Sequence, residues 1–509
     1  MLTLQAPLEH AQAQHGQRTA VIDGERRFTY RELYERCRRL AGCLSSLGLN
    51  AGDRVALLAA NCHAYLEVFC GAPAAGMVVV PLNFRLAEPE LITIVRDCRP
   101  RILISDRDPG ALATLVERVV MLPDEYETLL QAASPMRLPR LDENDLAALF
   151  YTGGTTGLPK GVMLTHRNLV ANAFHKTIAC TLVQDDVYLA APAMFHVAGI
   201  APLLGLIWLG ATIVMVPSFD PELCLDCVEG HGVTLMMPVP TMVAAMVDAQ
   251  CARPRNVSSL RMIGHAGSPI SNEAIERAHE TFKPAEIAQF YGATETSSIV
   301  TCFRDEGAAI GSPLLGSCGR PVAGVEVRVE RPDGSACEPG EIGEITVRGA
   351  NVTIGYWNQP EATASALRDG RYHTGDLGRI THEGFLFVVD RLKDMIVSGG
   401  ENVYSIEVED VLCQHTAVRE AAVFGVPDDR WGEAVHAVVV VAPERAPEQT
   451  ALEAMLKHHC RSAIAGYKVP KRIEARTEPL PKSGPGKVLK RALRKQYLRQ
   501  HMETATEET

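Results

Sequence analysis

One short segment combines the residue types that bind phosphate groups. Residues 151–161 read Tyr-Thr-Gly-Gly-Thr-Thr-Gly-Leu-Pro-Lys-Gly. Glycines let the backbone turn sharply and approach a ligand closely, and consecutive N–H groups in such a loop form a concavity that binds anions. The threonine hydroxyls add hydrogen-bond donors, and Lys160 adds a point charge. The segment predicts a phosphate-binding loop, and the apolar residues 146–151 predict the strand that positions it.

This loop differs from the Walker A motif of P-loop kinases and ATPases. That motif requires a lysine followed by serine or threonine at the start of a helix, whereas Lys160 is followed by Gly161. An ordinary P-loop nucleotide hydrolase is therefore disfavoured. A plain flexible turn is a weak interpretation, because four glycines, three threonines and a lysine occur together within residues 151–161.

Five segments, in the same order along the chain, resemble the adenylate-forming superfamily of acyl-CoA synthetases, peptide-synthetase adenylation domains and luciferases. The loop at residues 151–161 is similar to the phosphate signature of that superfamily. The other four are similar to its second adenylate motif, its ribose motif, its hinge and its C-terminal lysine loop, and they are residues 289–296, 372–376, 390–394 and 481–487. Each motif alone is only suggestive, but together they are specific.

The resemblance implies that ATP and Mg²⁺ bind and that coenzyme A accepts the acyl group. The implied nucleotide contacts are Thr152, Gly153, Gly154, Thr155, Thr156, Gly157, Lys160, Gly267, Ser268, Pro269, Gln289, Tyr291, Gly292, Asp376 and Arg391. Asp376 would accept both ribose hydroxyls, because a carboxylate has two acceptor oxygens. Tyr291 would stack on the adenine. Gly153 stands where many members of the superfamily carry serine, so one hydroxyl donor is missing there.

Three residues carry the implied chemistry of adenylate formation, in which a carboxylate attacks the α-phosphate. Lys487 lies in a Gly/Pro/Ser loop and would reach the carboxylate and the α-phosphate, which need positioned cations and donors. Thr294 would hydrogen-bond the α-phosphate. Glu295 and Thr155 would hold Mg²⁺, which prefers oxygen ligands. The alternatives without a catalytic role are that Lys487 is a solvated lysine in a basic tail and that Glu295 is an acid on the surface.

Thioester formation requires coenzyme A to enter after pyrophosphate leaves. By resemblance, the C-terminal domain rotates about a hinge at Lys393. Ser398, Gly399 and Gly400 would then line the pantetheine channel, where glycine leaves room because it has no side chain. A plain turn at these glycines is the alternative interpretation.

The acyl pocket is expected at six positions that the resemblance indicates: His196, Val197, Ala198, Thr241, Ala293 and Ser298. These residues and their neighbours are small and mostly apolar, which suits a hydrocarbon or aryl tail. His196 would shape the pocket, although a histidine beside apolar residues is often only a core residue. We expect a fatty acid of medium or long chain as the substrate, and an aromatic acid of the benzoate or cinnamate type is the alternative.

Other function classes remain less favoured on the sequence. Peptide-synthetase adenylation domains place an aspartate near residues 195–199 to pair with an amino group, and this chain has none there. Luciferase-like oxidation of an adenylate needs a special substrate. A nucleotide-binding regulator without turnover would tolerate the loss of Lys487, Glu295, Asp376 or Arg391, and all four are present. A metal-dependent hydrolase has no clustered ligand motif to support it.

Composition sets broader limits. The 509 residues carry a net charge of −11, which argues against a general nucleic-acid binder. No apolar run is long enough to span a bilayer, and the N-terminus lacks a signal-peptide pattern. We therefore expect a cytoplasmic monomer or homodimer that binds a small carboxylic acid, with peripheral membrane contact left open. The fourteen cysteines form no framework, and Cys224 with Cys227 lacks the second ligand pair that a zinc site needs.

Alternating apolar runs and helical patterns predict an α/β protein. Strands are predicted at residues 55–59, 77–81, 102–105, 187–191, 212–216 and 233–237, with helices such as 30–47 and 223–229 around them. After about residue 300, turns between short strands indicate a small β-rich unit. The prediction is a large N-terminal body of α/β-layered subdomains plus that unit, residues 1–390, and a mobile C-terminal α+β domain, residues 391–509.

Overall fold

The computed structural model describes residues 2–153, 159–267, 270, 272–304, 306–428, 430–441, 449–482 and 488–507. The α-helices in these ranges are α1 Gln5–His15, α2 Tyr30–Ser46, α3 His63–Ala74, α4 Glu88–Cys98, α5 Asp124–Ala132, α6 His166–Ala179, α7 Val197–Leu209, α8 Pro221–His231, α9 Pro240–Ala252, α10 Asn272–Thr281, α11 Pro360–Ala366, α12 Ser405–Cys413, α13 Gln449–Ala463 and α14 Lys490–Glu507. Short 3₁₀ turns lie at Gly110–Leu115, Thr294–Thr296, Glu306–Ala309 and Gly466–Lys468.

The strands in the same ranges are β1 Thr19–Asp23, β2 Arg26–Thr29, β3 Arg54–Leu58, β4 Val78–Pro81, β5 Ile102–Ser105, β6 Arg118–Met121, β7 Leu146–Thr152, β8 Lys160–Thr165, β9 Val187–Ala190, β10 Thr212–Met215, β11 Leu235–Met236, β12 Met262–Ala266, β13 Glu286–Tyr291, β14 Thr301–Phe303, β15 Arg320–Pro321, β16 Val325–Glu330, β17 Gly343–Gly349, β18 Leu367–Arg368, β19 Arg371–Ile380, β20 Leu386–Arg391, β21 Ile396–Ser398, β22 Glu401–Val403, β23 Val418–Asp428, β24 Gly432–Val441 and β25 Arg472–Arg476.

The chain divides into two compact units. The first comprises Met1–Val327, Thr346–Thr374 and Gly384–Leu386, and the second comprises Arg328–Ile345, Gly375–Glu383 and Phe387–Thr509. The predicted α/β class with a C-terminal α+β domain is confirmed. The predicted boundary between residues 390 and 391 stays a prediction.

Two largely parallel sheets form the first unit. One has nine strands in the order β15-β14-β13-β12-β11-β9-β10-β1-β2, and the other has six in the order β6-β5-β3-β4-β7-β8. Their central strands are buried on both faces, as in β4 and β5, where all four residues are buried. Such strands read as continuous apolar runs in sequence, which is why the periodicity predicted them.

Two further sheets have mainly antiparallel neighbours. One has the order β16-β17-β19-β18, with β20 beside β19, and the other has the order β22-β21-β24-β23, with β25 beside β24. In the second unit, α12 and α13 cover β23 and β24 over an apolar cluster that includes Val411, Leu412, Val439 and Leu456. This cluster gives the second unit a core of its own.

Helix starts and stops in the first unit follow local rules. The Thr29 hydroxyl accepts from the Glu32 N–H at 3.2 Å while the Glu32 carboxylate accepts from the Thr29 N–H at 2.7 Å, which is a capping box at the start of α2. Helix α8 begins with Pro221 after Asp220. It is terminated by Gly232, which follows its last residue and has a φ of 63°.

Every cysteine of the chain is free, as predicted from the lack of a framework. Cys224 is buried in the apolar cluster beneath α8, and Cys227 packs against the same cluster. Within the described ranges, no group of three or more His, Cys, Asp or Glu residues could hold a metal ion. In the same ranges, no helix combines the length and the apolar character that spanning a membrane requires.

A network of charges joins three helices of the first unit. His63 on α3 contacts Asp23 through Nδ1 at 2.6 Å and Glu127 through Nε2 at 3.2 Å. Arg36 on α2 donates to Glu127 at 2.8 and 3.0 Å and to the buried Glu67 at 2.6 and 3.1 Å. Burial opposes a charge on His63, but the carboxylates outweigh it and raise its pKa above 6.5.

We predict that His63→Asn loses stability chiefly at acid pH. Because the folded pKa is raised, the stabilisation by protonated His63 is fully present below about pH 6.5 and is lost as the pH rises through the folded value. The deficit should be roughly 1–3 kcal/mol at pH 6 and smaller at pH 9, the scale of a hydrogen bond to a charged group. Thermal unfolding across this pH range measures it, with the exposed His382→Asn as control. A deficit independent of pH would contradict the prediction.

Candidate active site

Parallel strands bring the predicted acyl-pocket residues and several predicted nucleotide contacts to one edge of the nine-stranded sheet. Strands β9, β11, β12 and β13 run parallel and adjacent, so the segments that follow them lie at one edge. Those segments are the start of α7, the start of α9, Gly267 and the residues from Tyr291 onward. The other predicted site residues in them are His196, Val197, Ala198, Thr241, Gly292, Ala293, Thr294, Glu295 and Ser298.

The predicted phosphate loop joins β7 to β8. Thr152 pairs directly with Lys160 across the two antiparallel strands, so these two side chains flank the loop. Gly153 is exposed, and a Cβ built on it would touch none of the described residues within 4 Å, so packing against those residues does not require glycine there. The predicted contacts Gly154, Thr155, Thr156 and Gly157 lie outside the described residues, as do Ser268, Pro269 and Lys487.

Tyr356 connects the lysine that flanks the loop to Glu295. The Lys160 ammonium lies 4.9 Å from the centroid of the Tyr356 ring, and the Tyr356 hydroxyl donates to Glu295 Oε1 at 2.9 Å. Burial, with the Glu295 charge adding to it, raises the pKa of Tyr356, so the phenol stays protonated and remains a donor. In the described part of the chain, Glu295 Oε2 accepts no hydrogen bond.

The turn that carries Glu295 has an unusual backbone. Ser297 and Ser298 have positive φ angles of 57° and 116°, which reverse the chain so that the Ser298 carbonyl approaches Gly292. A Cβ built on Gly292 would lie 1.9 Å from that oxygen. No other residue fits without a backbone shift, so Gly292 is required by geometry rather than by a ligand alone.

Two buried asparagines hold this turn in place. Asn172 Nδ2 donates to the carbonyls of Thr296 at 3.3 Å and Ile299 at 3.1 Å. Asn351 Nδ2 donates to the same two carbonyls at 2.9 and 3.1 Å. The Thr353 N–H donates to the Glu295 carbonyl at 2.7 Å. Sequence reasoning missed both asparagines. The available signal concerned Asn172 alone: it is an amide among apolar residues of α6, where the structure shows it fully buried.

His196 occupies the position before the first residue of α7, makes no side-chain capping hydrogen bond, and packs against an aromatic cluster. Its ring lies edge-on to Phe195, with centroids 4.5 Å apart, and Phe195 meets Phe84 at 5.1 Å. Burial, aided by the charge of Arg85, lowers the pKa of His196 to about 4, so the ring is neutral. His196 Nε2 is buried and has no hydrogen-bond partner among the described residues. Val197 is buried, whereas Ala198 and Thr241 are exposed.

An aromatic ring packs between the neighbouring strands β12 and β13. The Phe290 ring lies against Gly264, where an added Cβ would meet Phe290 Cε2 at 2.3 Å. Gln289, on the opposite face of β13, directs its amide to the Cys318 thiol at 3.5 Å. Tyr291 and Ala293 are half-buried at the end of the strand. The side chain of Phe290 therefore occupies the space that glycine at position 264 leaves open.

The second unit contains the predicted ribose and hinge residues. Arg391 Nε lies 3.5 Å from Asp376 Oδ1. Desolvation, followed by the charge of Arg391, lowers the pKa of Lys393. Asp390 is buried and accepts from both the N–H and the hydroxyl of Ser405, so it anchors the start of α12. The structure gives Asp390 a capping role that the sequence did not predict.

The predicted pantetheine loop is a tight hairpin between β21 and β22. Ser398 pairs with Glu401, and the two residues between them, Gly399 and Gly400, have φ angles of 62° and 86°. Two positive φ angles in a two-residue loop require glycine-like residues. A Cβ on Gly399 would meet the Trp431 ring at 2.7 Å, whereas one on Gly400 would touch nothing. The turn alone explains both glycines.

The chain matches a known protein family over most of its length. Residues 8–357 match the family described as AMP-binding enzyme, and residues 407–487 match the AMP-binding enzyme C-terminal domain. A feruloyl-CoA synthase of Amycolatopsis sp is 40% identical over 484 residues, which cover 94% of this chain and 96% of that protein. The fatty acid–[acyl-carrier-protein] ligase ScoC of Streptomyces coeruleorubidus is 34% identical over 502 residues, 95% of each chain.

Solved structures agree with these matches. The o-succinylbenzoate coenzyme A synthetase of Bacillus subtilis with its acyl-adenylate intermediate has a TM-score of 0.87, 31% identity, and coverage of 96% of this chain and 98% of that chain. The same enzyme with ATP and magnesium ion has a TM-score of 0.85, 31% identity, and coverage of 95% and 98%. The expected family is confirmed: this chain belongs to the AMP-binding enzyme family and is an AMP-forming acid–thiol ligase.

Proposed function

We propose that this enzyme activates an aromatic carboxylic acid. The carboxylate displaces pyrophosphate from ATP to give an acyl-adenylate, and the thiol of coenzyme A then displaces AMP to give the thioester. The observation that carries the choice of acid is the 40% identity to a feruloyl-CoA synthase along 94% of the chain. The expected fatty acid has less support, since the fatty acid ligase ScoC is 34% identical.

The side chains near the expected acyl pocket also favour a flat substrate. Phe290 fills the space over Gly264 with a ring, and Phe195, Phe84 and His196 form a second aromatic group. Rings packed edge-to-face or offset contact one another favourably. A planar acid would fit against these rings, whereas a long flexible chain needs an open tunnel past Phe290.

Glu295 is our proposed magnesium ligand, with Thr155 as a second. The fit is good, because one carboxylate oxygen is oriented by Tyr356 while the other has no partner in the described residues, and Mg²⁺ prefers such oxygens. The ion would neutralise phosphate charge when bound. Thr294 would then donate to the α-phosphate, and Lys487 would bring its ammonium to the attacking carboxylate.

The remaining nucleotide contacts belong to the same proposal. Thr152 and Lys160 would contact the phosphates, Tyr291 the adenine, and Asp376 with Arg391 the ribose. The second step would use Lys393 as the hinge and the turn at Ser398, Gly399 and Gly400 as a wall for the pantetheine arm. The domain boundary at residues 390 and 391 belongs to the same proposal.

The acid is tested by thioester formation across matched acids with ATP, Mg²⁺ and coenzyme A. The panel contains cinnamate, 4-hydroxycinnamate, benzoate, octanoate, palmitate and phenylalanine. We expect kcat/KM for one of the aromatic acids to exceed that for either fatty acid by about tenfold or more, the discrimination that pocket contacts provide. The Glu295→Gln variant is the blank for contaminating ligases. A higher kcat/KM with octanoate or palmitate would contradict the proposal.

We also predict that Gly292→Ala disables adenylate formation. The added Cβ must move the Ser298 carbonyl and with it Thr294 and Glu295, and displacing a catalytic group by about 1 Å can cost about 10²-fold in rate. Pyrophosphate release measures the loss, and thermal unfolding shows whether the fold persists. The control is Gly230→Ala in α8, where the added Cβ meets nothing within 4 Å. Full activity in folded Gly292→Ala would contradict the prediction.

A further inference from the structure

A buried lysine in the first unit has no polar partner in the part of the chain that the structure describes. Lys176 lies on α6 with 4% of its surface exposed. Among the described residues, no carboxylate, carbonyl or hydroxyl pairs with its ammonium group, which lies 5.5 Å from the centroid of the Phe290 ring. Lysine is almost never buried without a partner, because desolvating an unpaired charge is costly.

The contacts of Lys176 within the protein do not offset that cost. The attraction of an ammonium to a phenylalanine ring is smaller than the cost of burying it unpaired. Its other titratable neighbours are the thiols of Cys180 and Cys302, and burial lowers the pKa of Lys176 to about 8 despite them. One helical turn earlier, Asn172 Oδ1 is also buried and has no partner among the described residues. Asn172 Oδ1 and Lys176 Nζ, one helical turn apart, thus each lack a hydrogen bond to the described residues.

The lysine lies over the ring of Phe290, three positions before Ala293 of the expected acyl pocket. Phe290 has the Lys176 ammonium over its ring face, and its ring edge lies against Gly264. Strand β13 then leads directly into the turn that carries Thr294 and Glu295. An acid that placed its carboxylate at that turn and its ring against Phe290 would end near Lys176.

We propose that Lys176 selects the acid by donating a hydrogen bond to an oxygen on the far end of its aromatic ring, an inference that rests on the proposed function. A phenolic oxygen or a second carboxylate would each satisfy the ammonium, and the shared chemistry is an oxygen acceptor that carries or gains negative charge. The hydrogen bond replaces the water that burial removes from Lys176. An acid without this oxygen leaves the ammonium unpaired and binds less well.

The test compares two acids that differ only in the oxygen. The ratio of kcat/KM for 4-hydroxycinnamate to that for cinnamate is measured in the wild type, in Lys176→Met and in Lys283→Met, whose side chain is 58% exposed. We expect the ratio to fall about tenfold or more in Lys176→Met, the scale of a charge-assisted hydrogen bond, and to keep its wild-type value in Lys283→Met. A third acid, 4-carboxycinnamate, distinguishes a carboxylate from a phenolic oxygen.

The outcomes separate the two proposals. If the wild type uses both cinnamates and Lys176→Met keeps the wild-type ratio, the assignment of Lys176 is overturned while the aromatic-acid proposal stands. If the wild type uses fatty acids and no aromatic acid, both are overturned. A purely structural role would lower kcat/KM for both acids equally and leave the ratio unchanged.

A second measurement on the wild type needs no variant. The absorbance of bound 4-hydroxycinnamate is followed as a function of pH, and its phenol should ionise at a lower pH than in the free acid, because a nearby cation favours the anion. An unchanged or raised ionisation pH would overturn the assignment.

Discussion

The hydrogen bond from Tyr356 to Glu295 orients the carboxylate that we propose as the magnesium ligand. Glu295 lies on a turn that is not stable by itself, because Ser297 and Ser298 have positive φ angles. Asn172 and Asn351 hold the carbonyls of that turn, and Tyr356 then orients the carboxylate. Donors from two segments far from Glu295 in sequence, α6 and residues 351–356, therefore hold the turn and orient its carboxylate. A rigid support of this kind is what transition-state electrostatics requires.

Local patterns predicted the elements well where burial dominates. Residues 102–105 were predicted as a strand and form β5, and residues 30–47 were predicted as a helix and form α2 over Tyr30–Ser46. The strand predicted at residues 233–237 is only Leu235–Met236, because the Val233 N–H is used by the end of α8, where it donates to the Val228 carbonyl. Hydrogen bonds at the junction of two elements are not visible in an apolar run.

The sequence predicted those residues of the candidate site that lie within its motifs. Glycine at position 292 and the acid at 295 follow from the motif, and the structure supplies the steric reason for Gly292. The residues that hydrogen-bond to Glu295 and its turn were not predictable, since Tyr356 is 61 positions from Glu295 and Asn172 is 124 positions from Thr296. The substrate selection that we propose depends on such long-range contacts too. Phe290, His196 and Lys176 come from three elements, and only the fold brings Lys176 and Phe290 together.

The central claim is that Tyr356 orients Glu295 as a magnesium ligand. The most direct test is the free Mg²⁺ concentration that gives half-maximal pyrophosphate release, measured at saturating ATP and acid in the wild type and in Tyr356→Phe. Loss of a residue that orients a metal ligand typically costs about 10–100-fold in metal affinity, so the required Mg²⁺ should rise about tenfold or more. Tyr467→Phe, whose side chain is 41% exposed, is the control. An unchanged Mg²⁺ requirement in folded Tyr356→Phe would contradict the account.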